Sequence, residues 1–145
     1  MRSEVSDSII LASQPGQPSN VPTRKTADSG EFSIGVDLSS VATHNGSAIT
    51  SYHVEIDNGS GGDYSEIKGG QANDLSLSAK KGTGITRGNL YRVRYRAKNE
   101  VGFGQYSEPA YILAASSPYT PDRPIVKFDG SKLFVSWDMP YNAGS

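Results

Sequence analysis

The run Asp57-Asn58-Gly59-Ser60-Gly61-Gly62-Asp63 is the stretch of this chain closest to a metal-binding motif. A calcium loop needs oxygen-bearing side chains at alternate positions. Glycine stands here where the third and fifth ligands belong, so the run reads as a hairpin turn. The two histidines, His44 and His53, fall in a loop and at an outward strand position, and neither has a partner spaced for a metal or a triad. The chain contains no cysteine, which excludes thiolate nucleophiles, disulfides and cysteine-ligated zinc. The carboxylates are scattered, and no motif places a pair for acid–base work. The expectation is therefore no catalytic, metal or cofactor site and no enzymatic activity.

The remaining chemistry is that of binding. Arg92, Arg94 and Arg96 alternate with Tyr91, Val93, Tyr95 and Ala97, which puts the arginines on one face of a strand and the apolar residues on the other. Such a ladder could meet an acidic partner. The better reading is that it pairs with His53, Glu55 and Asp57 on a neighbouring strand, each pair contributing roughly 0.2–1 kcal/mol. Phe103 lies between two glycines in the turn Asn99–Gln105 and could anchor a partner, or belong to a tight structural turn. Asn45-Gly46-Ser47 and Asn58-Gly59-Ser60 satisfy the N-glycosylation pattern in expected turns, although Asn-Gly is also ordinary turn chemistry.

The elements that must position these residues are strands. Hydrophobic residues make up 35% of the 145-residue chain, with 16 glycines and 8 prolines, a composition that suits a turn-rich all-β protein. A net charge of −1 gives no global attraction to nucleic acid or membrane. No apolar stretch approaches the roughly 20 residues that span a bilayer, and no signal peptide is evident. Strands are expected at about Thr23–Ala27, Phe32–Leu38, Ile49–Ile56, Tyr64–Ile67, Leu75–Ala79, Leu90–Lys98 and Ser107–Ala114. The inward residues would include Phe32, Ile34, Val36, Tyr52, Val54, Ile56, Leu75 and Leu77. No segment repeats near 3.6 residues, so no substantial helix is expected.

The sequence also repeats itself at an offset of about 100 residues, the length of one small β-sandwich. Ser13-Gln14-Pro15-Gly16-Gln17-Pro18 returns as Ser116-Ser117-Pro118-Tyr119-Thr120-Pro121. Glu31-Phe32-Ser33-Ile34-Gly35-Val36-Asp37 aligns with Lys132-Leu133-Phe134-Val135-Ser136-Trp137-Asp138. Residues 1–12 then read as the last strand of a preceding unit, 13–117 as a complete unit, and 118–145 as a Pro-rich linker with the first two strands of a following one. Two strands cannot bury Phe134 and Trp137 by themselves. Residues 118–145 are therefore expected to be disordered or taken up by strand exchange with another copy.

These residues resemble a fibronectin type III domain. The resemblance rests on Pro15 and Pro18, on Asn45-Gly46-Ser47-Ala48-Ile49-Thr50-Ser51-Tyr52, and most of all on the series Ile85, Gly88, Tyr91, Val93, Arg96-Ala97, Asn99, Gly102, Gly104 and Ser107-Glu108-Pro109. It implies a seven-stranded antiparallel, immunoglobulin-like β-sandwich. In that family the tyrosine matching Tyr91 bonds through its hydroxyl to the preceding loop. The usual core tryptophan is Val36 here and Trp137 in the second unit, so Tyr52, Tyr95 and Phe32 would have to fill the space. Arg87-Gly88-Asn89 is no substitute for Arg-Gly-Asp, because an amide lacks the carboxylate charge. The resemblance implies a modular spacer and protein-interaction unit, neighbouring repeats as contacts, and a cell-surface or extracellular setting. Alternatives are an accessory module of a secreted carbohydrate-active enzyme and a repeat of an intracellular filament or cilium.

Overall fold

The computed structural model describes residues 11–69, 73–118 and 120–139. Residues 1–10, most of the expected last strand of a preceding unit, lie outside the described residues, as do Gly70–Ala72, Tyr119 and Pro140–Ser145.

Among the described residues nine strands form: β1 Thr23–Arg24, β2 Ile34–Asp37, β3 Ser51–Ile56, β4 Ser65–Lys68, β5 Ser78–Lys81, β6 Leu90–Lys98, β7 Ala110–Leu113, β8 Ile125–Phe128 and β9 Leu133–Ser136. The first seven make two antiparallel sheets, β1-β2-β5 and β4-β3-β6-β7. Alternation along β6 decides the sandwich, because its buried residues Tyr91, Val93, Tyr95 and Ala97 all point one way. They meet Ile34 and Val36 of β2, Tyr52, Val54 and Ile56 of β3, and Ile112 of β7 in one core. Burial on this scale contributes about 1.5–3 kcal/mol for each large side chain.

Val36 is fully buried in the same core as Tyr52 and Tyr95, whose rings lie 6.3 Å apart, tilted by 46°. Each core phenol is satisfied, as a buried polar group must be. The Tyr91 hydroxyl accepts from Thr86 N at 2.8 Å, in the loop before β6. Tyr52 Oη accepts from Val41 N, and Tyr95 Oη donates to the Ser39 carbonyl.

Four expectations are corrected. Phe32 is 63% exposed and fills no core space, because β2 begins only at Ile34 after the Gly30–Ser33 turn. The expected strand at Leu75–Ala79 is displaced to Ser78–Lys81, where Ala79 pairs with Val36, and Leu75 and Leu77 are left exposed before it. Thr23–Ala27 is a strand only at Thr23–Arg24, since Thr26–Asp28 turns as a 3-10 helix. His53 lies on the outward face of β3 as expected, but is buried there instead of solvated.

The proline-rich segment before β1 is fastened to the sandwich. Ser13 N donates to Asn45 O, Gly16 N to Thr43 O, and Gln17 Nε2 to Tyr106 O. Asn99, wholly buried, donates through Nδ2 to Ser13 O at 2.7 Å and accepts through Oδ1 from Val101 N and Gly102 N. A side chain at Gly104 would overlap the Pro15 carbonyl, so only glycine allows this approach.

Among the described residues, β8 and β9 pair only with each other. Every residue of both is exposed, and Trp137, just beyond β9, is 72% exposed.

Candidate interaction face

The outer face of β6 carries Arg92, Arg94, Arg96 and Lys98, and aromatic rings stand between them. Arg92 lies 5.2 Å from the Tyr64 ring centre, and Arg94 lies 3.9 Å from Tyr64 and 4.1 Å from Tyr106. Arg96 lies 4.3 Å from Tyr106 and 4.1 Å from Phe103, and the Lys98 ammonium is 5.0 Å from Phe103. Side chains two residues apart on a strand are separated by about 6.8 Å. That gap admits one flat ring in contact with a cation on each side. Cation–π contacts contribute about 0.5–1 kcal/mol each at exposed sites and more where water is excluded.

The three arginines differ in what meets their nitrogens. Arg92 Nε donates to Asp57 Oδ2 at 2.8 Å, and its terminal nitrogen to the Gly62 carbonyl. Asp57 Oδ1 also accepts from Gly59 N and Arg92 N, and the Asp57 side chain is fully buried. Burial pushes the Asp57 carboxyl up, but the hydrogen bonds from Arg92 and Gly59 outweigh it and hold it below the usual carboxylate range. Arg94 donates twice to Glu55 Oε2, at 3.0 and 2.8 Å. Burial likewise raises the Glu55 carboxyl, and Tyr106 and Arg94 bring it below its ordinary value. The Tyr106 phenol is pushed up to about 12, by burial first and then by its hydrogen bond to Glu55. Arg96 sits opposite His53 in the β3–β6 register, where its neighbours have carboxylates. Its Nε is buried and has no hydrogen-bond partner among the described residues.

His53 is enclosed by the turn after β6 and the end of β4. Its ring nitrogens face Tyr106 Oη at 3.2 Å and Glu66 Oε2 at 2.7 Å, and its ring lies edge-on to Phe103 at 5.5 Å. Gly69, at φ +131, leaves room for the imidazole where a side chain would overlap it. Phe103 thus folds back onto the sheet instead of projecting from its turn. Lys98 continues the alternation of the arginines, while Tyr64 and Tyr106 complete the face and were not singled out from sequence. The aromatic pair comes from the loop before β4 and the stretch before β7, so no local spacing announces it.

The two sequon asparagines are exposed but differently tied. Asn45, at φ +50, donates through Nδ2 to the Gln14 carbonyl at 2.7 Å. Asn58 uses Oδ1 to accept from Ser60 N, Ser60 Oγ and Gly62 N, leaving its amide nitrogen unengaged among the described residues.

No family model matches the chain. A curated relative, fibronectin type-III domain-containing protein 3a of Gallus gallus, is 28% identical over 102 residues, covering 69% of this chain and 8% of its own length. The chain therefore spans less than a tenth of that relative. The solution structure of the sixth fibronectin type III domain from human fibronectin type III domain containing protein 3 is similar at TM-score 0.57 and 22% identity, covering 78% of this chain and 96% of that one. Domains A168–A170 of titin give TM-score 0.55 at 23% identity, over 72% of this chain and 34% of that one. The FN1–FN3 domains of chicken CNTN1 give 0.57 at 19%, over 88% and 44%. Sandwich topology, the satisfied Tyr91 corner and these likenesses agree: the chain has the fold of a fibronectin type III domain.

Proposed function

We propose that this chain is a non-enzymatic spacer and protein-interaction module of a tandem array, working at the cell surface or outside the cell. The observation that carries the reading is the recurrence of one hairpin. The antiparallel pair β8–β9 returns about 100 residues after β1–β2, on a sequence that aligns with it. In the first copy the pair is extended by β5 and roofed by the second sheet; in the second copy, among the described residues, both faces are bare. Residues 118–145 then belong to a following unit, whose remaining strands, or those of another copy by exchange, would cover Phe134 and Trp137. The fastened segment before β1 fixes how a preceding unit leaves the sandwich, which is what a spacer requires. The relatives occur in chains named for several domains, in keeping with a modular role.

Limited proteolysis of the full chain tests the boundaries. Cleavage within 118–124, leaving a resistant core of residues 13–117, is expected. First cleavage between residues 13 and 22, or inside the sandwich, would refute them.

A further inference from the structure

We propose that Arg96 and Lys98 form the contact point for an acidic segment of a partner protein, which docks in extended form with carboxylates two residues apart. This rests on the protein-interaction reading and gives it a chemistry. Along β6 the charge is neutralised at one end only. Arg92 has Asp57 and Arg94 has Glu55, each at 2.8 Å. Among the described residues neither Arg96 nor Lys98 has a carboxylate within ion-pair distance, and the residue opposite Arg96 is the buried His53. The positive end of the ladder is thus local, although the chain as a whole carries −1.

The cation at this end is also held in place. Phe103 and Tyr106 cover the two sides of the Arg96 guanidinium at 4.1 and 4.3 Å. A stacked guanidinium keeps its N–H donors in one plane, the geometry that binds a carboxylate through two parallel hydrogen bonds. A side chain so fixed loses little freedom on binding. Lys98, two residues along on the same face, adds a point charge about 6.8 Å away, the separation of alternate side chains on an extended peptide. Carboxylates at alternate positions match both cations at once.

The test uses the full chain and a fluorescein-labelled peptide of alternating Glu and Thr, with a Gln-for-Glu peptide as control. Saturable binding of the Glu peptide, weakening with salt, is expected. The double variant Arg96→Gln/Lys98→Gln should weaken it tenfold or more. Lys127→Gln/Lys132→Gln, with the same charge change on the β8–β9 hairpin, should stay within twofold of wild type. Amide shift changes on the wild-type protein should centre on Arg96–Phe103, a readout that needs no variant. Equal binding of the Gln peptide, equal loss in the hairpin variant, tighter binding of inorganic polyphosphate than of the peptide, or shifts centred elsewhere would overturn the proposal. Such failure leaves the proteolysis result untouched, so the spacer reading stands or falls separately.

Discussion

Replacing Asp57 by Asn should remove a large part of the stability that the Arg92 end of the face supplies. The carboxylate accepts three hydrogen bonds, two from backbone N–H groups and one from Arg92 Nε. Asn keeps an oxygen for the backbone donors, but each of those bonds falls from charge-assisted to neutral strength, a loss of roughly 1 kcal/mol apiece. Its amide hydrogens then face the Arg92 Nε–H, and a charged bond worth about 1.5–3 kcal/mol is lost. Arg92 is 29% exposed and can turn to water, which reduces the total to about 2–3 kcal/mol. For a domain of this size that is roughly 10–20 °C in Tm. Urea unfolding at pH 7 measures it. The sign with pH is fixed by the lowered carboxyl. Asp57 contributes fully above its unfolded value of about 3.9, and the contribution is lost as pH falls through the lower folded value. Wild type should therefore converge on Asp57→Asn in strong acid. A variant within 0.5 kcal/mol (~0.5) of wild type at pH 7, or a gap that persists unchanged in acid, would refute the reasoning.

Tyr106 should ionise near pH 12. Because its folded value is raised, the linked stability is present below the ordinary phenol value of about 10 and is lost as pH rises toward 12. Glu55→Gln should move its NMR titration toward the ordinary value, and an unmoved titration would exclude the Glu55 bond as a cause. If the protein passes through the secretory pathway, glycopeptide mass spectrometry should find the glycan on Asn58 and not on Asn45, whose nitrogen is engaged by Gln14; bare asparagines would point to an intracellular filament or cilium. Trp137, the single tryptophan, should emit as a water-exposed indole at high dilution and shift to the blue as concentration rises if another copy covers it. Buried-type emission at every concentration would contradict an uncovered hairpin.

Strand β6 was legible to the residue because its alternation is strict over nine positions. The β2 start and β5 were not. Leu75-Ser76-Leu77-Ser78 alternates like a half-buried strand, yet pairing with β2 selects Ser78–Lys81. Register is a property of the partner strand as well as the pattern. On the candidate face, the arginines and Phe103 could be named from sequence, whereas Tyr64 and Tyr106 come from stretches outside β6 that no spacing ties to it. The burial of His53 was not legible either: an outward strand position is solvated only if no loop folds over it, and Phe103 and Tyr106 do.

The fastening of residues 13–17 has a mechanical consequence. In an array pulled end to end, tension from the preceding unit enters through this segment and meets the bonds of Ser13, Gly16, Gln17 and Asn99 before it reaches β1. Peeling five residues would release about 17 Å of chain while the core stays folded. Each module would thus carry a small extensible step in series with its sandwich, and a force–extension trace should show Asn99→Ala yielding that length at lower force.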